Sequence, residues 1–482
     1  MSATARSSQP GSHLTKIVAT LGPASNSDDG IRNLIDAGAD IFRLNFSHGT
    51  YDQHAHTFEA IRRIAEETGK TIAILQDIPG PKLRIGEFAE EPVTVSAGDS
   101  FTFRVNDESP GNESGVGFAS DGWHRSVEPG ERILLGDGAM QLEVTKTSDD
   151  AITATVRTDG EIRSRQGLNF PDTDLDLAAV TDDDWDHIAF GLQLGVDAVA
   201  LSFVQGPDDL IAVRRFMRRK GEYAPLLIAK IETPRAVENI EQIIQRCDGI
   251  MVARGDLGIA MPIERVPVIQ KQLIHLAREQ RRFVITATQM LESMVSAPRP
   301  TRAEATDVAN AVYDATDAVM LSGETAIGKH PRLVVEMMSR ILTATEPVVE
   351  IPLTKKKDSS VDSAVSRAVK ELARQLEAKA ILAPISSGST AMRMSRQRMG
   401  VPILVGTSKR ETARRLAFYQ AVYPVMVDPG KGVKETTERL IEKAKQEGFV
   451  ANGDRVILTG GLPVEKAGTT NFLRALTVGD EI

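Results

Sequence analysis

Short apolar runs alternate with segments that carry apolar residues at helical spacing over most of the chain. The clearest case joins two runs of strand length, Pro225–Ile231 and Gly249–Ala253, and the segment between them has apolar side chains at Val237, Ile240, Ile243 and Ile244. That spacing predicts an amphipathic helix between two buried strands. A strand–helix–strand unit of this kind places its two strands parallel and adjacent.

Polar residues stand where these two strands end. Lys230 and Glu232 end the first strand, and Arg254-Gly255-Asp256 follows the second. Adjacent parallel strands therefore bring a lysine and two carboxylates together at one edge. Two oxygen ligands suit a hard divalent cation that keeps positions open for phosphate, and a lysine beside it suits a phosphoryl group in transfer. On this unit alone, a surface ion pair at the strand ends is the alternative.

The same alternation continues along the chain and predicts eight strand–helix units. The predicted strands are Thr15–Gly22, Ile41–Phe46, Thr71–Ile78, Ala198–Phe203, Pro225–Ile231, Gly249–Ala253, Phe283–Ala287 and Ala318–Leu321. Between Lys82 and Pro171 the pattern instead has period 2 with turn signals, which predicts an all-β insertion after the third strand. Eight units are typical of a (β/α)₈ TIM barrel, and a doubly wound sheet is the competing arrangement.

The position of the polar residues favours the barrel, because active sites of this fold form at the carboxyl ends of several strands at once. Nearly every predicted strand ends in such residues, and the candidates are Arg43, Asn45 and Ser47 on the second strand, Asp77 on the third, Lys230 and Glu232 on the fifth, Asp256 after the sixth, Thr288 after the seventh and Ser322 after the eighth. In FRLNFSHG (42–49), period 2 puts Arg43, Asn45 and Ser47 on one face, which suits phosphate and a bound cation.

We predict four parts in the chain. Residues 1–12 are a disordered tail, residues 13–81 and 172–350 form the catalytic barrel, residues 82–171 form a β-barrel lid domain, and residues 356–482 form a C-terminal α/β domain for regulation or oligomerisation. The Lys-rich stretch LTKKKDSS is the predicted linker before this last domain. Its alternating strands and helices predict a smaller parallel sheet of the doubly wound kind.

Composition narrows the class of protein. The chain has 482 residues, of which 41% are hydrophobic and 26% charged, and its net charge is −9. An acidic balance argues against a general nucleic-acid or membrane-surface binder. The single cysteine, Cys247, excludes an internal disulfide. No apolar run reaches membrane-spanning length, and residues 1–12 lack the apolar segment of a secretory signal, so we expect a cytoplasmic protein.

One motif imitates a nucleotide-binding loop. In SGETAIGKH (322–330), Gly323 and Gly328-Lys329 have phosphate-loop spacing after a strand. His330 stands where that motif requires a serine or threonine for the metal, and Pro331 follows directly. A P-loop nucleotidase is therefore not predicted.

Six longer segments together resemble the pyruvate kinase family. They are TKIVATLGPAS (15–25), FRLNFSHG (42–49), IAKIE (228–232), ARGDLG (253–258), TATQMLESM (286–294) and the run from PTRAEATDVANAV through AVMLSGETAIGKHP. The resemblance extends from Thr15 to the C-terminal domain. It implies that the substrates are phosphoenolpyruvate and ADP and that the metal is Mg²⁺ or Mn²⁺.

The resemblance also implies roles for individual residues. Lys230 would stabilise the phosphoryl group in flight, and Glu232 and Asp256 would hold the divalent metal. Arg43 would bind the phosphate, the amides of Arg254, Gly255 and Asp256 would receive the substrate carboxylate, and Thr288 would relay a proton to the enolate with Ser322 in support. Asn45, Ser47, His48 and Arg84 would line the nucleotide side, and the insertion would close over the site as a lid.

Lys82 departs from the pattern of potassium-requiring members of the family, which have a glutamate there. The monovalent-cation site implied by the resemblance comprises Asn45, Ser47, Asp77 and the Ile78 carbonyl. An ammonium group near it would supply the missing positive charge, so we predict that potassium is not required. The alternative is a solvated Lys82 with potassium still bound.

A second phosphate site is predicted in the C-terminal domain. Ser386, Ser387, Gly388, Ser389 and Thr390 follow a strand and open a helix, where hydroxyls and amides can bind phosphate. By resemblance, this loop would take a sugar-phosphate or nucleotide effector, and a plain helix cap is the alternative. The resemblance also implies a homotetramer. Two other functions are the alternatives. One is an idle relative that binds metabolites for regulation, which the intact candidate residues disfavour, and the other is an aldolase-type lyase on a similar barrel, which the lid and the C-terminal domain disfavour.

Overall fold

The computed structural model describes residues 13–136, 138–175, 177–221, 224–351, 359–384, 388–462 and 469–481. In chain order the strands and helices are β1 (Lys16–Thr20), α1 (Asp28–Ala37), β2 (Ile41–Asn45), α2 (Tyr51–Thr68), β3 (Ala73–Ile78), β4 (Val93–Val95), β5 (Ser100–Val105), β6 (Gly115–Phe118), β7 (Arg132–Leu135), β8 (Met140–Thr147), β9 (Ala151–Val156), β10 (Gly160–Ile162), β11 (Leu168–Asn169), α3 (Asp182–Leu194), β12 (Ala198–Leu201), α4 (Pro207–Lys220), β13 (Leu226–Ile231), α5 (Pro234–Glu238), α6 (Ile240–Arg246), β14 (Gly249–Ala253), α7 (Arg254–Ala260), α8 (Val266–Glu279), β15 (Phe283–Ala287), α9 (Arg302–Tyr313), β16 (Ala318–Leu321), α10 (Gly323–Ala326), α11 (Pro331–Thr345), α12 (Val361–Gln375), β17 (Ala380–Ala383), α13 (Ser389–Arg396), β18 (Ile403–Thr407), α14 (Arg410–Leu416), β19 (Val422–Met426), α15 (Val433–Gln446), β20 (Arg455–Gly460) and β21 (Phe472–Thr477).

Eight parallel strands close into a barrel, which confirms the predicted (β/α)₈ fold. Their order around the barrel is β1-β16-β15-β14-β13-β12-β3-β2. β1 closes the ring by pairing with both β16 and β2. Every residue of β12, β14, β15 and β16 is buried, because the helices cover the outside while side chains fill the inside.

Local capping sets where several barrel helices begin and end. Thr50 starts α2 with a capping box that includes Gln53, and Thr301 does the same for α9 with Glu304. α1 begins after the Ser27 cap and ends at Gly38. Gly38 has a φ of 115°, in the left-handed region, which glycine adopts at little energetic cost. These caps satisfy backbone groups at the helix ends and so fix where the three helices begin or end.

The insertion between β3 and α3 is a mostly antiparallel sheet domain with its own core. Six strands lie in the order β11-β7-β8-β9-β5-β6, and β10 pairs with β4 in a separate two-stranded sheet. Single bridges join Ile85 to Phe118 in β6 and Arg84 to Gly167 beside β11, so this segment links the two edges of the larger sheet. The core includes Phe101, Phe103, Trp123 and Phe170.

The C-terminal domain is a five-stranded α/β sheet in the order β19-β18-β17-β20-β21. Four strands are parallel as predicted, but β21 runs antiparallel to β20. Only residues 461–471 separate β20 from β21, whereas a parallel pair needs a crossover of about a dozen residues or more. The domain bounds given above stay predictions.

In the part of the chain that is described, no helix is both long and apolar enough to span a bilayer.

Candidate active site

The barrel brings the polar strand ends to one rim, and the ammonium group of Lys230 lies at the centre of the densest cluster. Its Nζ is 2.6 Å from Ser202 Oγ, 2.9 Å from Glu232 Oε1 and 3.2 Å from Asp77 Oδ1. These three acceptors come from the ends of three adjacent strands, β12, β13 and β3. All three N–H groups of the ammonium therefore have a partner.

The charged groups of this cluster strongly shift one another's pKa values, because they are buried. Burial alone would lower the pKa of Lys230, but the carboxylates of Asp77 and Glu232 outweigh it and raise the pKa above its ordinary value. Burial would likewise raise the pKa of Asp77, and Arg43 and Lys230 hold it below its usual range instead. Lys230 and Asp77 thus remain a charged pair at neutral pH.

Arg43 extends the cluster to the second strand. Its Nε donates to Asp77 Oδ2 at 2.6 Å, and its Nη1 donates to Thr20 Oγ1 at 3.1 Å. Thr20 in turn donates to the Leu321 carbonyl at 2.8 Å. Arg43 and Lys230 therefore bracket Asp77 and place two cationic groups on one side of the rim, where an anion can be held.

Glu232 and Asp256 form a carboxylate pair that fits a divalent cation. Glu232 is 1% exposed, and burial, with a further contribution from the charge of Asp256, raises its pKa to about 6 against the pull of Lys230. Its Oε2 accepts the Phe203 N–H at 2.7 Å. Two hard oxygen donors that repel each other suit Mg²⁺ or Mn²⁺, which keeps other positions for water and substrate. Among the described residues, no cluster of three or more His, Cys, Asp or Glu side chains could hold a metal.

The amides of α7 and the hydroxyl of Thr288 lie in direct contact. Gly255 N–H donates to Thr288 Oγ1 at 2.7 Å, and that hydroxyl donates to the Ala287 carbonyl at 2.6 Å. Thr288 has a φ of +70°. The predicted amide site and the predicted proton-relay residue are thus adjacent, and a carboxylate at Gly255 would compete with Thr288 for the same N–H.

The side chain of Arg254 supports this strand end from behind. It donates to the carbonyls of Ala287 and Thr288, at 3.2 Å and 2.7 Å, and pairs with Asp307 on α9 at 2.7 Å. The predicted contribution of Arg254 was its backbone amide. The guanidinium has a separate structural part in holding the left-handed backbone at Thr288.

The residues predicted for the nucleotide side are less closely connected. Asn45 Oδ1 accepts the Ser47 N–H at 3.2 Å, and Ser47 and His48 are exposed at the rim. Arg84 donates to the Arg165 carbonyl at 2.8 Å, inside the inserted domain. None of these four side chains has a described contact with the Lys230 cluster.

Comparison with known proteins decides the family. The family model described as "Pyruvate kinase, barrel domain" matches residues 12–335, and "Pyruvate kinase, alpha/beta domain" matches residues 363–476. The chain is 40% identical over 465 residues to the pyruvate kinase of Thermotoga maritima, covering 96% of this chain and 99% of that protein. It is 38% identical over 477 residues to that of Mycobacterium tuberculosis, covering 97% and 98%. The chain belongs to the pyruvate kinase family.

A solved structure agrees with this assignment. A crystal structure of a pyruvate kinase from Cryptosporidium parvum aligns with a TM-score of 0.89 and 33% identity, and covers 96% of both chains. The protein is therefore a phosphotransferase of the pyruvate kinase family, in which a divalent metal is generally required. The predicted family and fold class are confirmed; the roles of individual residues stay predictions.

Ser322 lies on the rim predicted for the family's site but apart from Lys230. Its N–H donates to Glu324 Oε2 at 2.7 Å, and the other oxygen of Glu324 accepts the Leu291 N–H at 3.1 Å. Glu324 is fully buried. This carboxylate accepts backbone N–H groups that follow β15 and β16. It therefore links the segment of Ser322 to the segment that follows Thr288.

Lys82 and Ile78, the residues of the predicted potassium substitution, are not in described contact. Lys82 is exposed, and among the described residues its side chain has no hydrogen bond or ion pair. Ile78 is buried, and its carbonyl accepts the Ser202 hydroxyl at 2.6 Å. Asp77 is already bonded to Arg43 and Lys230.

The predicted effector loop is only partly within the described residues. Ser386 and Ser387 lie outside them. Gly388 has a φ of +97° and precedes α13, which begins at Ser389. Thr390 is 3% exposed, and its hydroxyl lies 3.0 Å from that of Thr470.

Sequence reasoning missed two rim residues. Thr20 ends β1 and binds Arg43, and Ser202 directly follows β12 and binds Lys230. Both are polar residues at the ends of strands, like the candidates on the other six strands. Their small hydroxyls, common in strands, give a weaker signal than a charged residue does.

Proposed function

We propose that the protein transfers the phosphoryl group of phosphoenolpyruvate to ADP, giving pyruvate and ATP in glycolysis. The observation that carries the proposal is the buried ammonium of Lys230, held by Asp77 and Glu232 and next to Arg43. The names of the relatives support the same pair of substrates. Phosphoryl transfer needs positioning and charge stabilisation more than covalent chemistry, and this cluster supplies both.

Arg43 and Lys230 bind the phosphoryl group in this proposal. The bond between phosphorus and the enol oxygen breaks as a bond to an oxygen of the ADP β-phosphate forms. Negative charge stays on the transferring group throughout, so fixed cations in a buried setting stabilise the transition state strongly. Asp77 fixes both cations through separate oxygens, 2.6 Å from Arg43 and 3.2 Å from Lys230.

Glu232 and Asp256 hold the divalent cation, Mg²⁺ or Mn²⁺. When bound, this cation offsets negative charge on the phosphoryl group and on the enolate oxygen. The Phe203 N–H fixes one oxygen of Glu232, so the carboxylate is oriented before the cation arrives.

Thr288 passes a proton towards the enolate carbon, and Ser322 supports that side of the rim. Protonation at carbon converts the enolate to pyruvate and draws the transfer forward. The amides of Arg254, Gly255 and Asp256 receive the substrate carboxylate at the start of α7. The bond between Gly255 N–H and Thr288 Oγ1 supports this pairing, because a carboxylate that takes the N–H frees a lone pair of the hydroxyl oxygen, which can then accept the proton to be relayed.

Asn45, His48 and Arg84 line the nucleotide side, and residues 82–171 act as a lid. A Cβ at Gly138, at the tip of the β7–β8 hairpin, would lie 3.9 Å from Ile259 on α7. Arg235 also pairs with Asp174 at 3.3 Å, where the chain returns from the insertion. These contacts support a lid that reaches over the helix carrying Asp256 and excludes water from the site.

Potassium is not required in this proposal. At the predicted monovalent-cation site, comprising Asn45, Ser47, Asp77 and the Ile78 carbonyl, both oxygens of Asp77 already have cationic partners. Lys82 supplies further positive charge when the lid closes. The exposed position of Lys82 leaves its ammonium free to move there.

The proposed effector site and the proposed oligomeric state are taken from the family resemblance. The loop from Ser386 to Thr390 takes a sugar-phosphate or nucleotide effector, and the chain forms a homotetramer in the cytoplasm. The left-handed Gly388 at the start of α13 supports an anion site at this helix, because successive N–H groups converge there.

Pyruvate formation from phosphoenolpyruvate and ADP tests these assignments. The assay contains Mg²⁺ and no potassium, and potassium is then added. Full activity in both conditions is expected. Activity only after the addition would retain the kinase and reject potassium independence. No ATP in either condition, with phosphoenolpyruvate still bound, would indicate an idle binding protein.

A further inference from the structure

The carboxyl end of β12 contacts both the lysine and the metal carboxylate of the proposed site. Ser202 Oγ lies 2.6 Å from Lys230 Nζ, and the next residue, Phe203, donates its N–H to Glu232 Oε2 at 2.7 Å. Ser202 is 2% exposed. Phe203 has a φ of +51°, a left-handed backbone that costs energy for a residue with a Cβ. Two successive residues thus serve the two charged groups from one turn.

Hydrogen-bond direction at Ser202 is fixed by its partners. The hydroxyl donates to the Ile78 carbonyl at 2.6 Å, since a carbonyl can only accept. The oxygen therefore presents a lone pair to Lys230, whose ammonium can only donate. The result is a chain of two hydrogen bonds, in which Lys230 donates to Ser202 and Ser202 donates to the backbone of β3.

Ser202 differs from the other two partners of Lys230. Asp77 also pairs with Arg43, and Glu232 is proposed to hold the metal. Both carboxylates therefore interact with other cations during the reaction. The serine is neutral, and the rigid strand end holds its hydroxyl, so it is the partner that can stay bound to the ammonium when phosphate replaces a carboxylate.

We propose that Ser202 is a positioning residue that aims the Lys230 ammonium at the transferring phosphoryl group. The inference rests on the proposed role of Lys230. In this role, the neutral hydroxyl of Ser202 accepts one of the three N–H groups of the ammonium. That bond fixes the directions in which the other two N–H groups point.

Little free space surrounds this turn, which favours a fixed geometry. A Cβ placed on Gly80 would lie 3.1 Å from Ser202 Cβ and 3.0 Å from the Phe203 ring. Gly80 itself has a φ of +69°. The lid connection therefore passes directly against the turn, and it limits the rotamers that Ser202 can adopt.

Ser202→Ala tests the proposal by steady-state kinetics together with Mn²⁺ binding measured by electron paramagnetic resonance. We expect kcat to fall about tenfold, because a hydrogen bond to a charged group is lost. Mn²⁺ affinity should stay as in the unchanged protein, since Ser202 does not touch Glu232 or Asp256. Equal loss of kcat and of Mn²⁺ affinity would overturn the proposal, because Ser202 would then merely support the whole turn.

Ser202→Cys keeps the shape of the side chain with weaker hydrogen bonding, so we expect a kcat between those of serine and alanine. It also provides the comparison if the alanine variant folds poorly. Ser366→Ala is the matched control. Ser366 is 1% exposed and donates to the Asp362 carbonyl at 2.7 Å in the C-terminal domain, so its loss should leave kcat unchanged.

A double-mutant cycle with Lys230→Ala separates this inference from the proposed function. In a Lys230→Ala background, adding Ser202→Ala should cause no further loss, because the two residues act as a unit. Full activity of Lys230→Ala would reject the proposed role of the lysine itself. A large effect of Lys230→Ala with a Ser202→Ala variant as active as the unchanged protein would reject only the positioning role.

Discussion

Glu232 combines deep burial with a neighbouring carboxylate, so we expect the proposed metal site to be sensitive to pH. Its pKa is raised to about 6, first by burial and then by Asp256. A raised carboxyl pKa means that the metal-free folded protein binds this proton more tightly than the unfolded chain does. This contribution to stability is therefore complete at acidic pH below the ordinary carboxyl range and is lost as pH rises through about 6.

Metal binding should have the opposite pH dependence, because the cation needs the ionised carboxylate. We expect Mn²⁺ affinity to fall as pH drops through about 6. Titration of Mn²⁺ at several pH values measures this. Glu232→Gln should bind Mn²⁺ weakly at every pH, and Glu241→Gln, on the outer helix α6, is the control. A pH-independent affinity in the unchanged protein would contradict the prediction.

The charge of Lys82 can be tested by a single substitution. Replacement by glutamate removes a positive charge and introduces the residue that the family resemblance associates with a potassium requirement. We expect Lys82→Glu to lose about tenfold in kcat/KM without potassium and to recover when potassium is added, a change of about 1.4 kcal/mol in transition-state binding. Pyruvate formation in the two buffers measures this effect.

Lys146→Glu is the matched control, because Lys146 is also exposed and lies on β8 of the same inserted domain. It makes the same change of charge away from the rim, so its activity should not depend on potassium. If Lys82→Glu remains fully active without potassium, the ammonium of Lys82 has no part in replacing the cation.

Sequence reasoning could name most rim residues but not their partners. Lys230, Glu232 and Asp77 stand out in the sequence, because a charged side chain at the end of a buried strand is costly unless it is paired. That Asp77 holds Arg43 and Lys230 by separate oxygens depends on the stagger of β2, β3 and β13 around the barrel. Residue type and position along the chain carry no information on that stagger.

At the element scale, the end of β15 and the helices α7 and α9 form one supported unit. Thr288 and Gln289 have φ values of +70° and +54°, and a left-handed backbone costs roughly 1–2 kcal/mol per residue with a side chain. Arg254 offsets part of this cost by donating to the carbonyls of Ala287 and Thr288. Its pair with Asp307 fixes the guanidinium.

Arg254→Met should therefore release the Thr288 backbone and lower kcat by about tenfold or more, as small misplacements of reacting groups do. Asp307→Asn leaves the bonds to the two carbonyls in place, so we expect a smaller loss. Arg214→Met is the control, since Arg214 also binds a carbonyl and a carboxylate, those of Arg246 and Asp248, on another part of the barrel. Equal kcat in all three variants would contradict the argument.

Element boundaries followed from the sequence where local chemistry decides them. β14, β15 and β16 begin and end where the pattern predicted. The helix between β13 and β14 is instead divided into α5 and α6 at Asn239. The direction of β21 depends on a tertiary pairing with β20, which a short apolar run cannot specify.

At the scale of the whole molecule, a buried ion pair joins the barrel to the C-terminal domain. Arg398 Nη2 lies 2.9 Å from Asp317 Oδ2 and donates to the Ala315 carbonyl at 2.6 Å. The two side chains are 5% and 3% exposed. Asp317 also accepts the N–H groups of Val284 in the barrel and Gln420 in the C-terminal domain. The domains therefore share one polar network beneath the barrel strands.

Arg398→Met should destabilise this junction, because it removes the guanidinium that pairs with the buried side chain of Asp317. Removing one partner of a buried pair costs about 3–5 kcal/mol, so we expect a clear fall in the apparent melting temperature. Adding Asp317→Asn should restore part of it, since the uncompensated charge is then gone. Arg374→Met is the control, because Arg374 pairs with Glu371 on the surface of α12, where an ion pair contributes little. If Arg398→Met melts like the Arg374 control, the pair of Arg398 and Asp317 does not hold the two domains together. Other contacts, such as the packing of Phe283 against Phe418 and the ion pair of Arg410 with Glu66, then do so.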